Sequence, residues 1–91
     1  MVFDMNTEKL KPINDLLDQI INDRTVPKNI RAAGENSKLI LNNMKETPEV
    51  KISTAIQTLD EIINDPNMPM YTRTQIWNIV SILEGMRREL K

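Results

Sequence analysis

Cysteine and histidine are both absent from this chain of 91 residues. Without cysteine there are no disulfides, thiolate nucleophiles or thiolate metal sites, and an intracellular compartment is the simpler expectation. Without histidine the chain lacks the usual general base near neutral pH and the commonest metal ligand. Glycine occurs only at Gly34 and Gly85, so no glycine-rich loop is available to cradle a phosphate. Phe3, Tyr71 and Trp77 are the whole aromatic inventory, a poor platform for stacking bases. Charge of one sign is lacking too: 12 Lys and Arg against 13 Asp and Glu, mixed along the chain, make no strong field for DNA, RNA or an anionic membrane. No apolar run approaches membrane-spanning length, and Met1-Val2-Phe3-Asp4-Met5 lacks the basic start and long apolar run of a signal peptide. A soluble, cytoplasmic protein with no cofactor and no metal is expected.

What is present is helical periodicity. A chain of this size forms one domain with one modest core, burying roughly two-thirds of the surface its unfolded form exposes. Ile52, Ala55, Ile56, Leu59, Ile62 and Ile63 recur at i, i+3, i+4, i+7 behind Thr47-Pro48, an N-cap followed by proline at the first helical position, which predicts a helix over 49–64. Leu10, Ile13, Leu17, Ile20 and Ile21 predict another over 8–22; Pro12 makes it begin near Glu8 or kink one turn in. A second helix, capped by Thr25 or Val26 ahead of Pro27, presents Ile30, Ala33, Ser37, Ile40, Leu41 and Met44 on one face. A fourth runs from about Pro69 to Glu89. Asn22-Asp23 and Asn64-Asp65 end helices, where Asn tolerates a left-handed turn and Asp can accept from the backbone that follows it.

The segment "LDQIIND" at 17–23 returns as "LDEIIND" at 59–65, 42 positions on. Laid over each other without a gap, residues 17–44 and 59–86 agree at 12 of 28 positions: Leu17, Asp18, Ile20, Ile21, Asn22, Asp23, Pro27, Arg31, Asn36, Ile40, Leu41 and Met44 match Leu59, Asp60, Ile62, Ile63, Asn64, Asp65, Pro69, Arg73, Asn78, Ile82, Leu83 and Met86. Chance would supply roughly two. The chain is therefore a tandem duplication of one helical hairpin, copy one at about 6–46 and copy two at about 47–91. An amphipathic hairpin cannot bury its apolar face alone, and a second copy supplies the missing surface.

The repeated L-D-x-I-I-N-D, a proline four residues on and an arginine four further resemble the hairpins of HEAT-type repeats, whose period is also about 40 residues. Solenoids need three or more such units with polar caps, so the expected fold is all-α, a four-helix bundle closed from the two hairpins, with an open HEAT-like pair as the alternative. The doubled I-I-N-D and the Y-T-R-x-x-I-W segment at 71–77 also resemble a small uncharacterised archaeal family of all-helical proteins. That resemblance implies a helical fold and carries over no activity and no site residues.

Two sets of residues invite a functional reading. Asp23 with Arg31, repeated as Asp65 with Arg73, puts an acid at a helix end and a base one turn into the next helix. Such a pair either clamps an anion or locks the hairpin turn, and repetition of the turn favours the lock. Asn36 and Asn78 sit mid-helix, where asparagine is a poor former, and either line a polar site or fix helix register. No apolar stripe contains an acid, so the inward carboxylates of a di-metal bundle are missing, no catalytic residue is assigned and no enzyme is expected. Lys28, Arg31, Lys38, Arg87, Arg88 and Lys91 are interrupted by acids, which leaves a nucleic-acid or ribosome-associated factor as the alternative to a protein-interaction module.

The copies differ most in their second helices: Gly34, Glu35, Ser37 and Lys38 become Ile76, Trp77, Ile79 and Val80. Helix 4 thus has a broad apolar arc with Trp77 outside it. Either helix 4 is the more central, packed under Met1, Val2 and Phe3, or it meets a second chain, with a homodimer the economical form. Trp77, Ile76, Val80, Tyr71 and Phe3 are the interface candidates.

Overall fold

A computed structural model describes the backbone of residues 7–90 and the side chains of 10–90. Four helices follow in order: α1 (Thr7–Ile21), α2 (Lys28–Leu41), α3 (Pro48–Ile62) and α4 (Met70–Glu89). α1 runs through Pro12, which stands on its exposed side. α3 opens as its sequence predicts, with the Thr47 hydroxyl accepting from the Val50 backbone N–H and Pro48 in the first turn. α2 and α4 are entered through Pro27 and Pro69, whose carbonyls accept the first helical N–H groups, from Arg31 and Arg73 respectively.

Each helix packs closely on two others, α1 on α2, α2 on α3, α3 on α4 and α4 back on α1, while among the described residues the backbones of the diagonal pairs, α1 with α3 and α2 with α4, stay farther apart. That is a closed ring. The open HEAT-like alternative stacks first helices on first helices and second on second, and those are the pairs that stay apart. Leu10, Ile13, Leu17 and Ile20 of α1 meet Ile30 and Leu41 of α2, Ile52, Ala55, Ile56 and Leu59 of α3, and Ile76, Ile79, Leu83 and Met86 of α4 in one core. Burying a side chain of this size stabilises by about 1.5–3 kcal/mol, so this shared core is the largest favourable contribution to the fold.

The α1–α2 and α3–α4 turns lie at the same end of the bundle, as the 2.8 Å hydrogen bond from Asn29 Nδ2 at the start of α2 to Asp65 Oδ2 requires. Val26 and Met68, one from each turn, are 1% and 5% exposed and close that end with apolar side chains. Two sequence expectations change here. α2 stops at Leu41, so Met44 lies in the following turn at 93% exposure, whereas its repeat partner Met86 is a core residue of the longer α4. Nor does any described residue adopt positive φ, so the helix ends do not use the left-handed turn expected of their asparagines.

Candidate functional site

The repeated acid and base stand at the same turn but form no salt bridge with each other. Asp23 Oδ1 accepts from the Thr25 backbone N–H at 2.9 Å and from its hydroxyl at 2.7 Å. Asp65 Oδ1 accepts from the Asn67 N–H at 2.8 Å while Oδ2 takes the Asn29 amide. These hydrogen bonds hold both carboxyls below the usual carboxylate range, with the charges of Arg31 and Arg73 adding the smaller part. Arg73 donates from Nε to the Ile63 carbonyl and from a terminal nitrogen to the Asp65 carbonyl, both at 3.0 Å, and so ties α4 to the end of α3. Arg31 stands at the equivalent place, but its Nε is buried without a protein partner. Arg73 thus holds the second turn through backbone carbonyls, and Arg31 does not repeat that contact in the first.

The remaining polar candidate is also placed differently from its expectation. Asn36 and Asn78 are exposed and make no hydrogen bond among the described residues, because both stand on the solvent flank of their helices. Cross-helix bonds come instead from residues that periodicity did not single out: Lys38 to Asp18 at 2.7 Å, Asn42 to Asn14 at 3.0 Å and Gln75 to Gln19 at 2.9 Å.

On α4, Ile76 is 1% exposed and belongs to the core, and Val80 packs half-buried against it, so the core claims two of the interface candidates. Trp77 is 55% exposed and Tyr71 68%, with Met70 at 69% between them on the outer face of the helix and Ile82 at its edge. Phe3 lies outside the described residues. In copy one the positions of Met70, Tyr71 and Trp77 hold Lys28, Asn29 and Glu35, all exposed. The same fold is therefore made with polar residues there, and packing does not demand the aromatic ones. A second exposed feature is a shallow groove between α2 and α3, whose walls include Ala32, Ala33, Leu39 and Ile62. Among the described residues no helix is long and apolar enough to cross a membrane.

Fold and surface together define a small all-α protein, a closed four-helix bundle of duplicated hairpins. It belongs to the uncharacterised protein family UPF0147, which it matches over residues 1–86. It is 58% identical over 80 residues to the UPF0147 protein of Methanocaldococcus jannaschii, covering 88% of this chain and 86% of that one. The Aeropyrum pernix UPF0147 protein is 44% identical over 82 residues, 90% of each chain. Among solved structures, the protein of unknown function MMP1188 superposes with a TM-score of 0.82 at 51% identity, over 91% of this chain and 96% of that one. A UPF0147 protein from Thermoplasma acidophilum gives 0.83 at 35% identity, over 90% and 96%. The relatives are archaeal and the family has no assigned function, as the residue pattern implied.

Proposed function

We propose that this protein works by binding another protein, without catalysis of its own, through the outer face of α4. The observation that carries the reading is the exposed aromatic pair Trp77 and Tyr71 at positions where copy one holds Glu35 and Asn29. Large exposed aromatics that the fold does not need are typical anchors of protein interfaces. The charged groups support a non-catalytic reading. Asp15, Asp18 and Glu84 are paired with Lys11, Lys38 and Arg87, and Asp23 and Asp65 are engaged by their own turns. The same pairing weakens the nucleic-acid alternative, since those three cations and Arg73 already have partners within the chain.

Self-association is the first form to test, because a two-fold axis lets one patch serve both partners. Trp77→Glu restores the charge of copy one. It is expected to shift a dimer to monomer in sedimentation equilibrium, or to abolish capture of a partner, with helical circular dichroism unchanged. Wild type that sediments as a monomer, captures no protein and shows a salt-dependent gel shift with RNA would sink the reading in favour of the alternative.

A further inference from the structure

The groove between α2 and α3 is separate from the α4 face, and the duplication isolates what is peculiar to it. Ala32, Ala33 and Ile62 line it together with Leu39, and Glu35 of α2 and Glu61 of α3 stand on its two walls. In the opposite seam, between α4 and α1, the positions one repeat away hold Thr74 and Gln75 for the alanines, Trp77 and Gln19 for the glutamates and Ser81 for Leu39. There Gln75 reaches Gln19 at 2.9 Å and bridges the seam. The α2–α3 seam has no such bridge at these positions, because Ala33 has nothing to offer Glu61. Leu39 is 67% exposed where the other copy carries serine, so its apolar surface is not required by packing. Glu35 and Glu61 have no ion pair or hydrogen bond among the described residues. No lysine or arginine lines the groove; of the cations near it in sequence or space, Lys38 is held by Asp18 on the α1 side and Arg87 by Glu84.

We propose that this groove receives a basic amphipathic helix of another protein. Its apolar stripe would lie on Ala32, Ala33 and Leu39, with lysines or arginines against Glu35 and Glu61. Alanine walls let a helix axis approach closely, since interaxial distance follows the size of the side chains at the contact. Unpaired carboxylates on both walls of an apolar groove favour a partner that is positive on both sides of an apolar stripe, and they repel an acidic one.

The test titrates the isotope-labelled full chain with a synthetic leucine–lysine amphipathic helix, its leucine–glutamate counterpart and a scrambled leucine–lysine peptide, followed by amide chemical shifts. The leucine–lysine helix is expected to perturb Ala32, Ala33, Asn36 and Thr58 in a salt-sensitive way, and the other two peptides to leave them unmoved. Glu35→Lys with Glu61→Lys weakens binding roughly ten-fold. Ala32→Thr with Ala33→Gln, residues the other seam already accommodates, removes the perturbation while helical circular dichroism persists. Trp77→Glu leaves binding unchanged, which separates this groove from the α4 face. Equal binding of the acidic or scrambled peptide, perturbation centred on α4, or full affinity in the Glu35 and Glu61 variant overturns the proposal. So does the same set of shifts appearing with protein concentration alone, which would make the occupant a second copy of this chain.

Discussion

Gly34 shows how much a single side chain decides. It is buried in α2 where copy two has Ile76, and a Cβ added there would stand 3.5 Å from Ile21 Cγ1 and 3.7 Å from Ile20 Cγ2, ordinary contact distances. Glycine inside a helix loses about 0.5–1 kcal/mol relative to alanine through backbone entropy. Gly34→Ala is therefore expected to raise the unfolding free energy by about that amount in urea titrations; a lower midpoint would show that α1 and α2 pack more tightly at this point than those contact distances allow. Other residues were not readable one at a time. Thr72 and Gln75 are 1% and 6% exposed, and the Thr72 hydroxyl and Gln75 Oε1 meet no protein partner. Both occupy positions that α2 fills with Ile30 and Ala33, so helical projection marks the position as inward, and only packing tells which polar group sits there. Trp77 was readable, because it lies next to Ile76 in sequence and about 100° around the helix from it, off the apolar arc.

The element that repeats most faithfully is the turn, and it occurs three times. Asn43 Oδ1 accepts from the Lys45 N–H at 3.0 Å, as Asp23 and Asp65 accept from Thr25 and Asn67, and Asn42 caps α2 through Lys38 O as Asn22 caps α1 through Asp18 O. The middle copy escapes a comparison of identities because Asn replaces Asp, Thr47 replaces proline and exposed Glu46 replaces the buried Val26 and Met68. Spacing alone, asparagine to the next helix start, carried its signal. Asn43 also shows that a neutral amide can close this turn, which sets up a pH test. The Asp23 and Asp65 carboxyls lie below the usual range in the folded chain. Their contribution to stability is complete above the unfolded carboxylate value near pH 4 and is lost as pH falls through the folded values. Asp23→Asn with Asp65→Asn should thus flatten the loss of stability below about pH 4, measured by urea unfolding across that window. An identical acid limb would show that the turns do not govern it. The arginines give a second, differential prediction. Arg73→Ala, which removes two bonds to backbone carbonyls, should cost about 2 kcal/mol, and Arg31→Ala less than about 1 kcal/mol. Equal losses would contradict the asymmetry of the two turns.

At the scale of the whole molecule, stability comes from closing the ring. Neither hairpin can cover Leu17, Ile20, Leu59, Ile79 or Leu83 alone, since these side chains are at most 1% exposed and share one core drawn from all four helices. Short helices without such packing are marginal in water. Peptides 6–46 and 47–91 are each expected to give a weak helical signal by circular dichroism, and an equimolar mixture to regain most of the native one. A fragment that melts cooperatively by itself would show the hairpin, rather than the bundle, to be the folding unit.

The amino-acid sequence by itself determined the helices, their duplication and the inward face of each, because apolar periodicity and turn chemistry are local properties of the chain. It also determined that Trp77 stands apart from that face. Tertiary structure alone decided which surfaces meet: that α4 returns to α1 and closes a bundle, that Ile76 goes to the core and Trp77 to solvent, and that Arg73 reaches backbone carbonyls where the spacing suggested a carboxylate. It decided as well that the α2–α3 seam stays open while Gln75 bridges the α1–α4 seam. These depend on how far one helix lies from the next, and that distance is set by side chains scattered along the whole chain, so no local pattern contains it.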